Sequence, residues 1–230
     1  MIRHHPADDL LLTLAAGHLD EPQALLVSVH LEQCSTCRAR LAGLQALGGV
    51  LLEEVEPVAL SPDALPAALA AAVRESGDAP ELLNGTGNTG SNLMGPQGLW
   101  RPHLPRGIRW PAALCSCEVS RWHWIWLGMR WSRVRLPHRP AVSMFLLRVS
   151  PGRRLPSHSH RGTELTQVLC GSFDDGRAVF GPGDFIEADA RVAHRPIVRH
   201  DGECVCLVYV DGRLRFDGRI AGAMRRWIDG

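Results

Sequence analysis

Between Asn84 and Gly98 the chain reads NGTGNTGSNLMGPQG. Gly, Asn, Ser and Pro at that density favour turns and disfavour continuous helix or strand, so the run behaves as a flexible linker. Before it, apolar residues recur at helical spacing. After it, they alternate. The chain is therefore expected to fold in two parts of different class, which 230 residues accommodate as two modest domains. The expected division is a helical domain over 1–80, a linker with an unassigned segment over 81–120, and a β domain over 121–230.

In the helical part, Asp8 and Asp9 precede Leu10, Leu11, Leu12 and Leu14, and Gly17 ends the run. Asp20-Glu21-Pro22 reads as the cap and first turn of a second helix, with Leu25, Leu26, Val29 and Leu31 on its apolar face. A third helix is predicted from Ser35 through Leu51, and a fourth from Ser61 to Arg74, with Leu65, Leu69 and Val73 in one stripe. In the β part, short runs such as Met144–Val149, Leu165–Leu169 and Cys204–Val210 are separated by Gly and Pro turns. Many short strands so spaced point to a β-barrel or jelly roll. Gly218 to Trp227 reads as a closing helix. The fold class expected is thus α+β multidomain.

Charge divides along the same line. Met1 to Asp78 carries four Arg against eleven acidic residues, a net of −7, and the remainder carries +8. An acidic first part argues against nucleic acid as its partner and for a basic protein. Leu10, Leu11 and Leu14 on the first helix, and Leu60, Leu65 and Leu69 toward the fourth, are the apolar residues to examine for such a partner. Six of the seven Trp lie between Trp100 and Arg139, interleaved with Arg. That pattern is read as Trp rings filling and capping the barrel with Arg stems packed over them, not as a nucleic-acid or membrane face. No stretch is long and apolar enough to span a bilayer, and Met1 to Asp9 does not read as a signal peptide. Seven Cys, an odd number, suit a cytosolic metal or redox protein better than a disulfide frame. A cytoplasmic location is expected.

His30, Cys34 and Cys37 form a His-x3-Cys-x2-Cys arrangement. His30 and Cys34 are one helical turn apart and share a face, and Cys37 follows where its sulfur can swing back. Three ligands leave a tetrahedral zinc site one short, and His4 or His5 is the natural fourth. Two thiolates with two imidazoles suit zinc and disfavour magnesium or calcium.

A second constellation lies in the β part. Gly152 is followed after five residues by His158-x-His160, then Glu164, then Gly171. Residues two apart on a strand point to one face, so His158 and His160 can share a metal. Glu164 returns on the next strand, and His194 lies about thirty residues on. Three His and one Glu suit zinc, manganese, iron or nickel. These spacings resemble the two motifs of the cupin superfamily. The second motif keeps its length but has Asp189, Arg191 and Val198 where Pro, Gly and Asn are usual. No nucleophile or general base stands beside the ligands. Cys204 and Cys206 could be redox thiols, but the bland reading as core residues is preferred.

Together the two constellations resemble the ChrR-type zinc anti-sigma factors of bacteria. The likeness runs through Ile2-Arg3-His4-His5, the run from Val29-His30-Leu31 to Cys37-Arg38-Ala39-Arg40, Leu47-Gly48-Gly49, His158 to Leu169, Phe180-Gly181-Pro182-Gly183-Asp184, Cys204-Val205-Cys206 and Leu214-Arg215-Phe216. The resemblance implies zinc on His5, His30, Cys34 and Cys37, and a zinc or other divalent transition metal on His158, His160, Glu164 and His194. It implies a 1:1 complex in which the helical domain sequesters an extracytoplasmic-function sigma factor of the SigE type. It further implies release of that partner in response to singlet oxygen or peroxide, sensed through the cupin. A regulator rather than an enzyme is expected. The alternative is a metal-dependent cupin dioxygenase fused to a zinc module.

Overall fold

The structure, a computed structural model, describes residues 1–77, 100–105, 107–156, 158–160, 162–188, 195–212 and 214–216. The expected linker over Asn84–Gly98, His194 and the closing helix over Gly218–Trp227 lie outside the described residues. By packing the chain divides into two compact units, Met1–Gly48 with Leu93–Gly230, and Gly49–Asn92.

Among the described residues four helices come first: α1 (Asp8–Ala15), α2 (Glu21–Gln33), α3 (Ser35–Glu53) and α4 (Ala64–Gly77). Their starts follow local chemistry, with one correction to the expected caps. Asp8 and Asp9 sit inside the first turn of α1, and Ala7 is the N-cap. There the two carboxylates favour the positive end of the helix dipole. Asp20 occupies the N-cap of α2 without a side-chain capping bond. Its carboxylate instead lies 3.3 Å from the Arg139 guanidinium.

A short 3-10 turn over Ala112–Leu114 leads, among the described residues, into twelve strands: β1 (Glu118–Val119), β2 (His123–Trp126), β3 (Met129–Arg135), β4 (Ser143–Val149), β5 (His158–His160), β6 (Glu164–Cys170), β7 (Phe173–Asp174), β8 (Val179–Phe180), β9 (Phe185–Ala188), β10 (Ile197–Val198), β11 (Cys204–Val210) and β12 (Leu214–Phe216). The main sheet runs β1-β3-β4-β11-β6-β9, with β2 paired to β3 as a hairpin. All its pairings are antiparallel. A three-stranded sheet, β10-β7-β8, and a two-stranded one, β12-β5, complete the cupin-like sandwich.

The alternation of side chains across the pleat sorts this sheet into two cores. On one face Phe145, Val168, Cys206 and Val208 pack with Trp131 and with Phe173, Phe180 and Val198 of the small sheet. On the other, Leu146, Leu165, Leu207 and Tyr209 pack with Leu11 of α1 and with Leu26, Val27 and Val29 of α2. The helices thus cover the sheet's outer face. This explains why Cys204–Val210 is an unbroken apolar run where a half-exposed strand would alternate: every residue of β6 and β11 is buried. Leu207 is fully buried at that junction. Leu207→Ala is expected to cost about 2–5 kcal/mol, read from a denaturant titration. Because α1 and α2 share its core, far-UV and near-UV signals should be lost in one transition.

The Trp- and Arg-rich stretch packs only in part as expected. Trp131 is buried, and the guanidinium of Arg133 lies 5.8 Å from its ring centre. Arg148 sits 5.9 Å over Trp122 and is paired with Glu203 at 2.6 Å. Trp124 and Trp126 on the β2–β3 hairpin stay exposed, with Arg130 stacked 4.0 Å over Trp124.

Candidate metal centre

Four side chains from three local elements meet beside the outer face of the sheet. His30 lies in the last turn of α2. Cys34 is the break between α2 and α3, where its N–H bonds back to the His30 carbonyl at 3.0 Å. Its sulfur, 3.4 Å from the Cys37 N–H, serves as the N-cap acceptor of α3. Cys37 sits in the first turn of α3 and is fully buried. His5 arrives from the N-terminal arm. Its Nδ1 lies 3.4 Å from Cys34 Sγ and 3.3 Å from Cys37 Sγ, and His30 Nε2 lies 3.3 Å from Cys37 Sγ. All four donor atoms fall within 4.8 Å of one another. Tetrahedral zinc, with bonds of about 2.3 Å to sulfur and about 2.0–2.1 Å to nitrogen, requires N···S edges of about 3.5 Å. The separations and the donor set fit that ion.

His4 goes elsewhere, which separates the two candidates for the fourth position. Its ring stacks at 4.5 Å on Phe180, and its Nδ1 faces Asp184 Oδ2 at 3.3 Å.

The shell around the four is supplied by the barrel. His30 Nδ1–H donates to the Gly183 carbonyl at 2.9 Å and to Gln167 Oε1 at 3.2 Å. The Gln167 amide is oriented for this, since its Nε2 donates to the Val168 carbonyl. With the proton held on Nδ1, Nε2 is the free lone pair turned toward the sulfurs, as a metal-binding histidine needs. Gly183 has φ +87°, and a Cβ there would stand 2.7 Å from Ile2. Glycine is required by both the turn and the arm that lies on it.

The metal-free electrostatics agree with a site built for a cation. Burial pushes His30 below the usual imidazole value, outweighing its hydrogen bonds to Gly183 and Gln167, so the ring is neutral. Burial, with the neighbouring Cys34 adding to it, pushes the Cys37 thiol up to about 12. Such thiols ionise when a divalent cation takes the proton's place.

The second expected constellation is described only in part. His158 and His160 occupy alternate positions of β5, which pairs with β12. Glu164 opens β6, is buried, and accepts from Thr166 Oγ1 at 3.3 Å. Among the described residues, His5, His30, Cys34 and Cys37 are the group that meets with metal-binding geometry. Cys204 and Cys206 lie in the barrel core with sulfurs 3.7 Å apart. The Cys206 thiol is pushed well above its usual value by its hydrogen bond with Cys204 and by burial.

Gln167, Gly183 and Asp184 surround the His/Cys cluster, and nothing in the sequence spacing singles them out. They are 137 to 181 residues from the groups they hold, so no short-range spacing could reveal them.

The apolar residues set aside for a partner divide cleanly. Leu11 is buried, and Leu10 and Leu14 pack against the shared core. Leu60, Leu65 and Leu69 are exposed, as are Leu47, Val50, Leu51 and Leu52 of α3. α3 buries only Cys37.

Residues 111–211 match the family described as the ChrR cupin-like domain. The anti-sigma-E factor ChrR of Cereibacter sphaeroides is 36% identical over 223 residues, covering 94% of this chain and 93% of its own. The crystal structure of Rhodobacter sphaeroides SigE in complex with the anti-sigma ChrR aligns with a TM-score of 0.66 at 32% identity, over 92% of this chain and 100% of the matched chain. The likeness spans helices and barrel alike, and the chain belongs to the ChrR family of anti-sigma factors.

Proposed function

We propose that this chain is an anti-sigma factor that sequesters a SigE-type, extracytoplasmic-function sigma factor in a 1:1 complex in the cytoplasm. The observation that carries the reading is the apolar stripe of α4, with Leu65, Leu69 and Val73 all exposed on an otherwise soluble-looking acidic segment. Contiguous exposed apolar surface marks an interaction site, and a net of −7 favours a basic partner. The relatives' names, an anti-sigma-E factor and a SigE–ChrR complex, support the choice of partner. No described helix is long and apolar enough to cross a membrane. The division by role is residues 1–80 for capture, 81–120 as connection and 121–230 for sensing. Co-expression with a tagged SigE-type sigma factor tests the reading. Co-purification at equal stoichiometry supports it, and purification of the sigma factor alone overturns it.

In this reading zinc sits on His5, His30, Cys34 and Cys37 and organises the capturing helices. A second divalent transition metal, zinc among the choices, sits on His158, His160, Glu164 and His194 in the barrel. The barrel senses singlet oxygen or peroxide and prompts release; the chain works as a regulator and not as an enzyme. Replacing His158, His160 and Glu164 together by Ala is expected to leave capture intact and to hold the sigma factor after illumination with a photosensitiser. Release at the wild-type rate from that variant would remove the barrel metal from the sensing step. Substrate-dependent oxygen consumption by the purified chain would favour the oxidoreductase alternative.

A further inference from the structure

The zinc cluster takes its ligands from the first 37 residues, yet the groups that hold two of those ligands belong to the barrel. Asp184, in the turn between β8 and β9, is almost fully buried. Its Oδ1 accepts from the backbone N–H of Arg3 at 2.7 Å and of His4 at 3.0 Å, and its Oδ2 accepts from Gly181 N–H at 2.8 Å. Burial alone would raise its pKa, but these bonds outweigh it and keep the carboxyl ionised below its ordinary range. The Phe185 N–H donates to the His4 carbonyl at 3.0 Å, and the Ala7 N–H donates to Glu187 Oε1 at 2.7 Å. The arm is thus pinned on both sides of His5. The same turn and β6 hold His30 through Gly183 and Gln167.

We propose that the Gly181–Asp184 turn and Gln167 form a clamp by which the barrel positions His5 and His30, so that zinc retention by the helices depends on the barrel. The clamp rests on the reading of His5, His30, Cys34 and Cys37 as a zinc site. Ordering an N-terminal arm costs conformational entropy, and a free arm would give the metal only a transient fourth ligand. Groups that orient ligating histidines set how tightly the metal is kept. The clamp also gives β6 two duties. It carries Glu164 at its start and Gln167 three residues later, so a shift of this strand reaches both ends at once.

The test uses the full chain with zinc, and in parallel with cobalt(II) as a spectroscopic stand-in. Zinc transfer to a chromophoric chelator is timed for the wild type, Asp184→Ala, Asp184→Asn, Gln167→Leu and, as a control, Asp175→Asn. Asp175 accepts from Arg177 and Ala178 in the β7–β8 turn and touches none of the cluster, so it reports general loosening of the barrel. Asp184→Ala and Gln167→Leu are expected to lose zinc about 10–100 times faster than wild type. Asp184→Asn should fall between, and the cobalt ligand-field bands should shift in the fast variants only. Wild-type release rates and unshifted bands in both Asp184→Ala and Gln167→Leu overturn the clamp. An equal acceleration in Asp175→Asn overturns it as well. A wild-type chain that takes up no Cys34- and Cys37-dependent zinc overturns the site reading beneath it, which the first measurement distinguishes.

Discussion

A full-length chain with Cys34→Ser and Cys37→Ser is expected to lose about one zinc ion and to capture no sigma factor. The magnitude follows from comparing two energies. Structural zinc contributes roughly 10–16 kcal/mol of apparent binding energy in small metal domains, and a whole domain is held by only about 5–15 kcal/mol. Removing the metal therefore takes away as much as the fold has to spare. Serine hydroxyls do not ionise to replace the thiolates, and His5 and His30 alone cannot complete a tetrahedron. Cys34 and Cys37 lie in the core that α1 and α2 share with the outer face of the sheet, so the far-UV and near-UV signals should weaken together. Metal content by atomic spectroscopy and capture by tagged sigma factor check both halves; a double-serine chain that holds zinc and partner like the wild type would refute them.

The second large effect is expected on α4. Leu65 and Leu69 are 65% and 59% exposed and lie four residues apart, one above the other on one face. Burying each fully against a partner is worth about 1.5–3 kcal/mol. Losing both in Leu65→Asp with Leu69→Asp removes about 3–6 kcal/mol, which is about a hundredfold to ten-thousandfold in Kd. The introduced carboxylates, once desolvated, can only add to the loss. Neither side chain is in a core, so zinc content and thermal unfolding of the free chain should not move. Calorimetric titration of the sigma factor reads the affinity. Unchanged binding would exclude this face of α4 as the docking surface.

Much of the fold was legible because its signals are short-ranged. The third helix was predicted from Ser35, where α3 begins, and the run Cys204–Val210 is β11 to the residue. A helical or alternating period is written in a few neighbouring side chains, and it survives whatever the tertiary context is. His30, Cys34 and Cys37 were legible for the same reason, being within two helical turns of one another. The caps were less so. Asp20 is the N-cap of α2 as expected, but Asp8 and Asp9 fall in the first turn of α1 behind Ala7, because which residue caps depends on where the chain approaches from.

Two things escaped any reading of spacing. Leu10, Leu11 and Leu14 look like Leu60, Leu65 and Leu69 in sequence, with the same residue type at helical intervals. Only the packing of α1 and α2 on the outer face of the sheet makes the first set core and leaves the second exposed. The choice of His5 over His4 depends on Asp184, 180 residues away, which draws the His4 backbone and ring to itself and turns His5 toward the sulfurs. The sequence by itself determined most of the helices and the longer strands, and which residues are chemically able to hold zinc. The tertiary structure alone decided which apolar faces are spent inside and which barrel groups hold the arm and His30 in place. The physical reason is that element type and ligand chemistry are local properties, while burial and hydrogen bonding to the barrel exist only once segments far apart in the chain have met.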